Sequence, residues 1–173
     1  VTDYDNVLRT VQSGEARFTG ARRVENLQVQ SEDFTTTWGN QGIAIDVNTA
    51  VAPDGTTTAD RLNVTAAGTL HEVFDNATLT TATDYCASCF VKDDGAGFAT
   101  VALTGLTENH ISVTGNLTTG AVTTTDVGTT SGTITASGMI DVGNGWYRLW
   151  VAGKQTPTDV FTVISSSETG TPT

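Results

Sequence analysis

Positive charge is scarce in this chain. Its 173 residues include 8 Lys and Arg against 19 Asp and Glu, which leaves a formal net charge of −11 at pH 7. A protein that binds nucleic acid needs a cationic face to displace counterions from the phosphates. Anionic membrane surfaces attract basic segments for the same reason. The composition therefore argues against nucleic acid and against an anionic membrane as the main partner.

Long apolar runs and cysteines are also scarce. No stretch approaches the ~20 apolar residues of a membrane span, so we expect no membrane insertion. Cys86 and Cys89 form a lone Cys-x-x-Cys motif, and a structural zinc site needs two further ligands. Residues three apart in a strand point to opposite faces. We therefore expect two separate free thiols and no metal at this motif.

What the chain does contain is typical of an all-β protein. Threonine, which is β-branched and suits strands, makes up about a fifth of the residues, and 18 glycines supply turns. Helix formers such as Lys and Met are few, and a hydrophobic content of 38% favours a packed core over disorder. A chain of this length is enough for one domain and needs no disulfide to hold it.

From residue 25 onward, short apolar runs alternate with turn signals about every 8 to 12 residues, the spacing of a β-sandwich or barrel. We predict under about 10% helix. The predicted strands cover residues 26–30, 43–47, 59–64, 70–75, 85–92, 99–103, 110–114, 121–126, 133–141, 147–152 and 160–165.

Residues 1–24 lack this alternation and hold four of the eight basic residues, Arg9, Arg17, Arg22 and Arg23. We interpret them as an extended arm that makes few contacts with its own sandwich. Its arginines on an otherwise acidic protein suit docking on an acidic neighbouring chain by charge complementarity.

Five segments, in order, resemble a module found in tail, fibre and other virion proteins of bacteriophages. They are ENLQVQSEDF (25–34) followed by Trp38, APDGTTTADRL (52–62), YCASCFVK (85–92), LTTGAV (117–122) and VGNGWYR (142–148). The arm, with GEARF (14–18) and GARR (20–23), resembles the stretch that often precedes this module. The family usually has a further closing strand, which this sequence does not show before Thr173.

The resemblance implies an antiparallel two-sheet jelly roll over residues 25–173, similar to carbohydrate-binding modules and lectins, without catalysis. It implies a virion structural or surface module, part of a tail, fibre or capsid decoration, whose partners are other virion subunits. We expect a homo-oligomer, with a trimer as the natural arrangement for a fibre. The alternative is a carbohydrate-binding module of a secreted bacterial enzyme or adhesin.

Catalytic patterns are weak. His71 and His110 do not lie near a Gly-x-Ser-x-Gly elbow, and neighbouring pairs such as Glu32 with Asp33 face apart in a strand. We therefore predict no enzyme activity and no cofactor. A structural Ca²⁺ stays open as an alternative at Asp93-Asp94-Gly95 or at Asp3 and Asp5, although neither matches a full twelve-residue Ca²⁺ loop.

The strand after Gly145 carries the best candidate for a glycan site. Alternation places Trp146, Arg148 and Trp150 on one face and Tyr147, Leu149 and Val151 on the other. The aliphatic set is the natural core face. Two indoles around a guanidinium would then stack on a sugar and hydrogen-bond its hydroxyls. The sequence leaves a second interpretation open, in which Trp146 fills the end of the sandwich and Arg148 pairs with an acid.

Overall fold

The computed structural model describes residues 26–28, 30–65, 70–79, 83–105, 110–128, 132–154 and 159–167. Eleven strands and no helix occur in these ranges. They are β1 (Gly39–Gln41), β2 (Ile43–Ala50), β3 (Ala59–Val64), β4 (Glu72–Thr78), β5 (Asp84–Lys92), β6 (Phe98–Thr104), β7 (His110–Asn116), β8 (Ala121–Val127), β9 (Thr133–Gly143), β10 (Trp146–Lys154) and β11 (Asp159–Ser167).

All described strand pairs are antiparallel. One sheet has six strands in the order β1-β4-β11-β6-β7-β8, a second has the order β5-β10-β9, and β2 pairs with β3 as a separate hairpin. The all-β prediction is confirmed, and the arrangement is sandwich-like.

The main core lies between the six-stranded and the three-stranded sheets. Its fully buried members alternate along β6, β7 and β10, as expected where one face of each strand points inward: Val101, Ile111, Val113, Leu149 and Val151. Burial of a large aliphatic side chain contributes roughly 1.5–3 kcal/mol. This core therefore accounts for much of the fold's stability.

A second, smaller core lies under the β2–β3 hairpin. Trp38, Ile43, Val73 and Ile164 are buried there, with Cys89 of β5 packed against them. Trp38 stacks edge-to-face on Phe34, with ring centroids 5.0 Å apart. The hairpin therefore packs against strands β4 and β11 of the six-stranded sheet. The three-stranded sheet contacts the same small core through Cys89.

Ten of the eleven predicted strands have counterparts in the structure, and the strand predicted at 26–30 is wrong. Residues 26–28 have no regular structure and Gln30 begins a turn. The carbonyl of Gln30 accepts the indole N–H of Trp38 at 2.8 Å, so this segment is held by a side chain and not by a ladder. The arm, residues 1–24, lies outside the described residues.

The turn between β9 and β10 shows how the sequence sets the connections. Gly143, Asn144 and Gly145 all have positive φ, at 92°, 54° and 77°. Glycine and asparagine are the residues that adopt this region at low cost. This tight turn brings β9 and β10 into register, which builds the outer face described next.

Candidate functional site: the outer face of the three-stranded sheet

Strand β10 divides its side chains between core and surface. Leu149 and Val151 are fully buried, and Tyr147 packs against the same core. Arg148 is exposed and Trp150 is half-buried on the opposite face. The predicted alternation is therefore confirmed for these five residues.

Arg148 lies in the middle of a row that crosses the whole sheet. It pairs with Phe90 of β5 on one side and with Ile140 of β9 on the other. Residues directly opposite in antiparallel strands point to the same face. Phe90 and Ile140 are 52% and 51% exposed, so two exposed large apolar side chains flank the guanidinium in this row.

Trp150 occupies the next row of the same face. It pairs with Ser88 on β5 and Gly138 on β9. A Cβ built on Gly138 would lie 2.8 Å from the indole Nε1 and 2.9 Å from Cε2. The indole therefore covers the glycine backbone, and the absence of a side chain at position 138 makes room for the ring.

The guanidinium of Arg148 is held over this face by its neighbour. Its Nη2 donates to the Ser88 hydroxyl at 3.3 Å. In the described part of the chain no carboxylate lies within ion-pair distance of Arg148. Among the described residues, Ser88 is thus the one partner recorded for its five N–H groups. The pairing with an acid that the sequence left open does not occur among the described residues.

Trp146, the third residue of the predicted site, is covered. It is 8% exposed, and its indole N–H donates to the backbone carbonyl of Val51 at 3.0 Å. The loop after β2 therefore lies against it. The structure brings Arg148 and Trp150 together with Phe90 and Ile140, while Trp146 presents little surface to a ligand.

Phe90 and Ile140 were missed by the sequence reasoning. Alternation along β5 does place Phe90 on the face opposite Ala87 and Cys89, which is a usable signal. The register that sets both residues beside Arg148 is a long-range property, because β5 and β10 are about sixty residues apart in the chain.

The two cysteines are free thiols on opposite faces, as predicted. Cys86 is exposed on the outer face, and desolvation raises its pKa while the charge of Arg148 acts in the opposite direction. Cys89 packs against both cores, and burial raises the pKa of its thiol to about 12. Cys89 is therefore a core residue without nucleophilic character at neutral pH.

The acidic turn considered for Ca²⁺ is engaged in other contacts. Asp93 Oδ1 accepts the backbone N–H groups of Gly95 and Gly97 at 2.9 and 3.0 Å. Asp94 pairs with Arg61 Nε at 2.6 Å. Within the described ranges no group of three or more potential metal ligands occurs. Asp3 and Asp5 lie outside those ranges.

A long cleft runs between the β2–β3 hairpin and β5, with a volume of about 1480 Å³. Its walls include the consecutive residues 59–65 of the β3 region and 88–92 of β5. Phe34, Trp38 and Leu62 supply apolar surface.

Two further sequence predictions concern membrane insertion and the arm. Among the described residues no helix is long and apolar enough to cross a membrane. The arm candidates Arg9, Arg17, Arg22 and Arg23 lie outside the described residues. Comparison with known protein families and with curated proteins finds no match for this chain.

Proposed function

We propose that the chain is a non-enzymatic surface module of a bacteriophage virion, built as a jelly roll, that contacts host-surface glycan through the outer face of β5, β10 and β9. The observation that carries the binding role is the in-register row Phe90–Arg148–Ile140 with Trp150 beside it. The ordered resemblance of five segments to virion modules supports the virion role.

The chemistry of this face suits a sugar. The apolar C–H face of a pyranose stacks on an aromatic ring, and Phe90 and Trp150 both present ring surface there. Arg148 adds a fork of donors for hydroxyl or carboxylate oxygens, held by Ser88. Among the described residues this face carries no buried acid–base pair, which favours binding over turnover.

In the virion role, the arm mediates assembly. Residues 1–24 join copies of the chain into a homo-oligomer, a trimer in a fibre, and leave the sandwich facing outward. The acidic composition keeps such a surface soluble and free of nucleic acid. In the alternative role, as a binding module of a secreted enzyme or adhesin, the same face would bind glycan and a catalytic or anchoring domain would share the chain.

A glycan array with the full-length protein tests the binding role. We expect the wild type to bind a subset of glycans, and Arg148→Gln and Phe90→Ser each to weaken binding by about tenfold or more at unchanged melting temperature. Lys154→Gln, which removes a cation from the far end of the same strand, is the matched control and should bind normally. Absence of any glycan signal for the wild type, or equal binding by all variants, would contradict the proposal.

A further inference from the structure

Two sheet edges that have no ladder partner among the described residues bound the cleft beside the hairpin. β3 has a partner on one side, β2, and β5 has a partner on one side, β10. Successive strand residues point to opposite faces, so consecutive residues line one cavity when the edge of the strand faces it. Residues 59–65 and 88–92 do so here. Each of these strands therefore has one edge whose backbone groups lack a ladder partner in the described part of the chain, and no ladder there joins β3 to β5.

Two side chains at this cleft have buried polar atoms without partners among the described residues. Both amide atoms of Gln28 are buried and unpaired, and so is Oδ2 of Asp60. The other carboxylate oxygen of Asp60 accepts the backbone N–H of Asn48 at 2.9 Å. A buried polar atom without a partner destabilises the fold, so these atoms favour a ligand that pairs with them. An amide matches a peptide group, and an unpaired carboxylate oxygen matches a cationic donor.

The charge of the cleft also favours a cationic ligand. Five carboxylates line it, from Glu32, Asp54, Asp60, Asp93 and Asp94, against the two cations Arg61 and Lys92. Arg61 is already paired with Asp94. The cleft therefore fits an extended peptide that carries positive charge.

We propose that the cleft between β3 and β5 is the docking site for the arginine-rich arm, residues 1–24, of a second copy of this chain, bound as an added strand. Strand addition to a free edge uses backbone hydrogen bonds for affinity and side-chain contacts for specificity. Four of the eight basic residues of the chain lie in this arm. An arm that enters the cleft of the next copy is a head-to-tail contact, which closes into a ring such as a trimer. This inference rests on the proposed role of the arm in assembly.

Photo-crosslinking between isotopically distinct full-length copies tests the site. The unlabelled copy carries p-benzoylphenylalanine at Val64, which is 52% exposed and lines the cleft. The wild-type copy carries ¹⁵N. We expect ultraviolet light to join position 64 to a ¹⁵N-labelled peptide from residues 1–24, read by mass spectrometry. The control position is Val122 on β8, which does not line the cleft and should give about tenfold less of this product.

A charge substitution tests whether the carboxylate of Asp60 binds the arm. Asp60→Asn keeps the side-chain shape and removes the unpaired carboxylate, and we expect it to lower the crosslink yield by about tenfold. Asp46→Asn on β2 lies outside the cleft lining and should change the yield by less than twofold.

Three results would overturn the proposal: a crosslink confined to the unlabelled copy's own arm, a crosslink to other segments, or equal yields for the two Asp→Asn variants. If only the crosslinker at position 122 joined to the arm of another copy, arm-mediated assembly would be retained and the cleft would be rejected as its site. If neither position gave a crosslink between copies, arm-mediated assembly and the cleft as its site would both be rejected. Neither result depends on the glycan array.

Discussion

The indole N–H of Trp146 donates a hydrogen bond to the backbone carbonyl of Val51, at an N···O distance of 3.0 Å and across 95 residues of chain. This bond joins the start of β10 to the loop after β2. Together with the Arg61–Asp94 ion pair, which links β3 to the turn after β5, it ties the hairpin to the three-stranded sheet. The ion pair is exposed and contributes little, so the buried indole is the stronger tie.

Trp146→Phe tests that tie. The variant keeps an aromatic ring and removes the donor, so the Val51 carbonyl loses its partner. We expect the free energy of unfolding to fall by about 1–3 kcal/mol, measured by urea denaturation. Trp150→Phe, at a half-buried position on the same strand, is the control and should cost less. Equal losses for both variants would show that the Val51 bond adds nothing.

Gly138→Ala tests the position of the indole on the outer face. The new methyl group would lie 2.8 Å from Trp150 Nε1, so the ring must move. We expect a loss of about 1–3 kcal/mol in stability together with a shift of tryptophan emission toward longer wavelength. In a Trp150→Ala background the same substitution should cost clearly less, because nothing opposes the methyl group. Additive losses would contradict the contact.

The two thiols should differ in reactivity. Cys86 is exposed, whereas burial raises the pKa of Cys89 to about 12. We expect Ellman's reagent at pH 8 to modify one thiol of the folded protein, at least about tenfold faster than the other. Cys86→Ser should abolish the fast phase and Cys89→Ser should keep it. In urea both thiols should react at similar rates.

Asp33 provides a test by pH. Hydrogen bonds from the hydroxyl of Thr35, the hydroxyl of Thr36 and the backbone N–H of Thr35 lower its pKa from 3.8 to about 2. A depressed pKa in the folded state stabilises the fold above the unfolded value near 3.8, and this contribution disappears as the pH falls toward 2. We expect Thr35→Val to raise the pKa of Asp33 toward 3.8 in an NMR titration. An unchanged pKa would show that the hydroxyl of Thr35 does not hold the carboxylate.

The sequence predicted the strands well because their signals are local. Alternation and Gly–Asn turns identified β10 and the turn at Gly143–Gly145 without knowledge of any partner. β1 was missed because Gly39 and the two amide residues Asn40 and Gln41 carry no apolar period. The error at 26–30 has the opposite cause: Leu27 is apolar and strand-like in pattern, yet it is 41% exposed and pairs with no strand among the described residues.

The sequence predicts only part of the candidate site, because alternation is a property of one strand whereas sheet register and a covering loop are not. Alternation placed Arg148 and Trp150 correctly on the outer face, since it depends on one strand alone. It placed Trp146 beside them because a single strand holds no information about a loop 95 residues earlier that covers the ring. Phe90 and Ile140 join the site through sheet register, and the cleft lies between residues of β3 and β5, which belong to different sheets. Both are long-range properties of the folded chain.

Localisation of the chain in virus particles tests the central claim most directly. Phage particles are purified from the host that carries the gene, analysed by mass spectrometry, and labelled with gold-coupled antibodies against the folded chain. The proposed function predicts the chain in stoichiometric amount, with gold at one defined position on the tail, fibres or capsid surface. Particles that lack the chain, with the protein instead secreted by the bacterium in one polypeptide with a catalytic domain, would contradict the virion role and favour the secreted binding module.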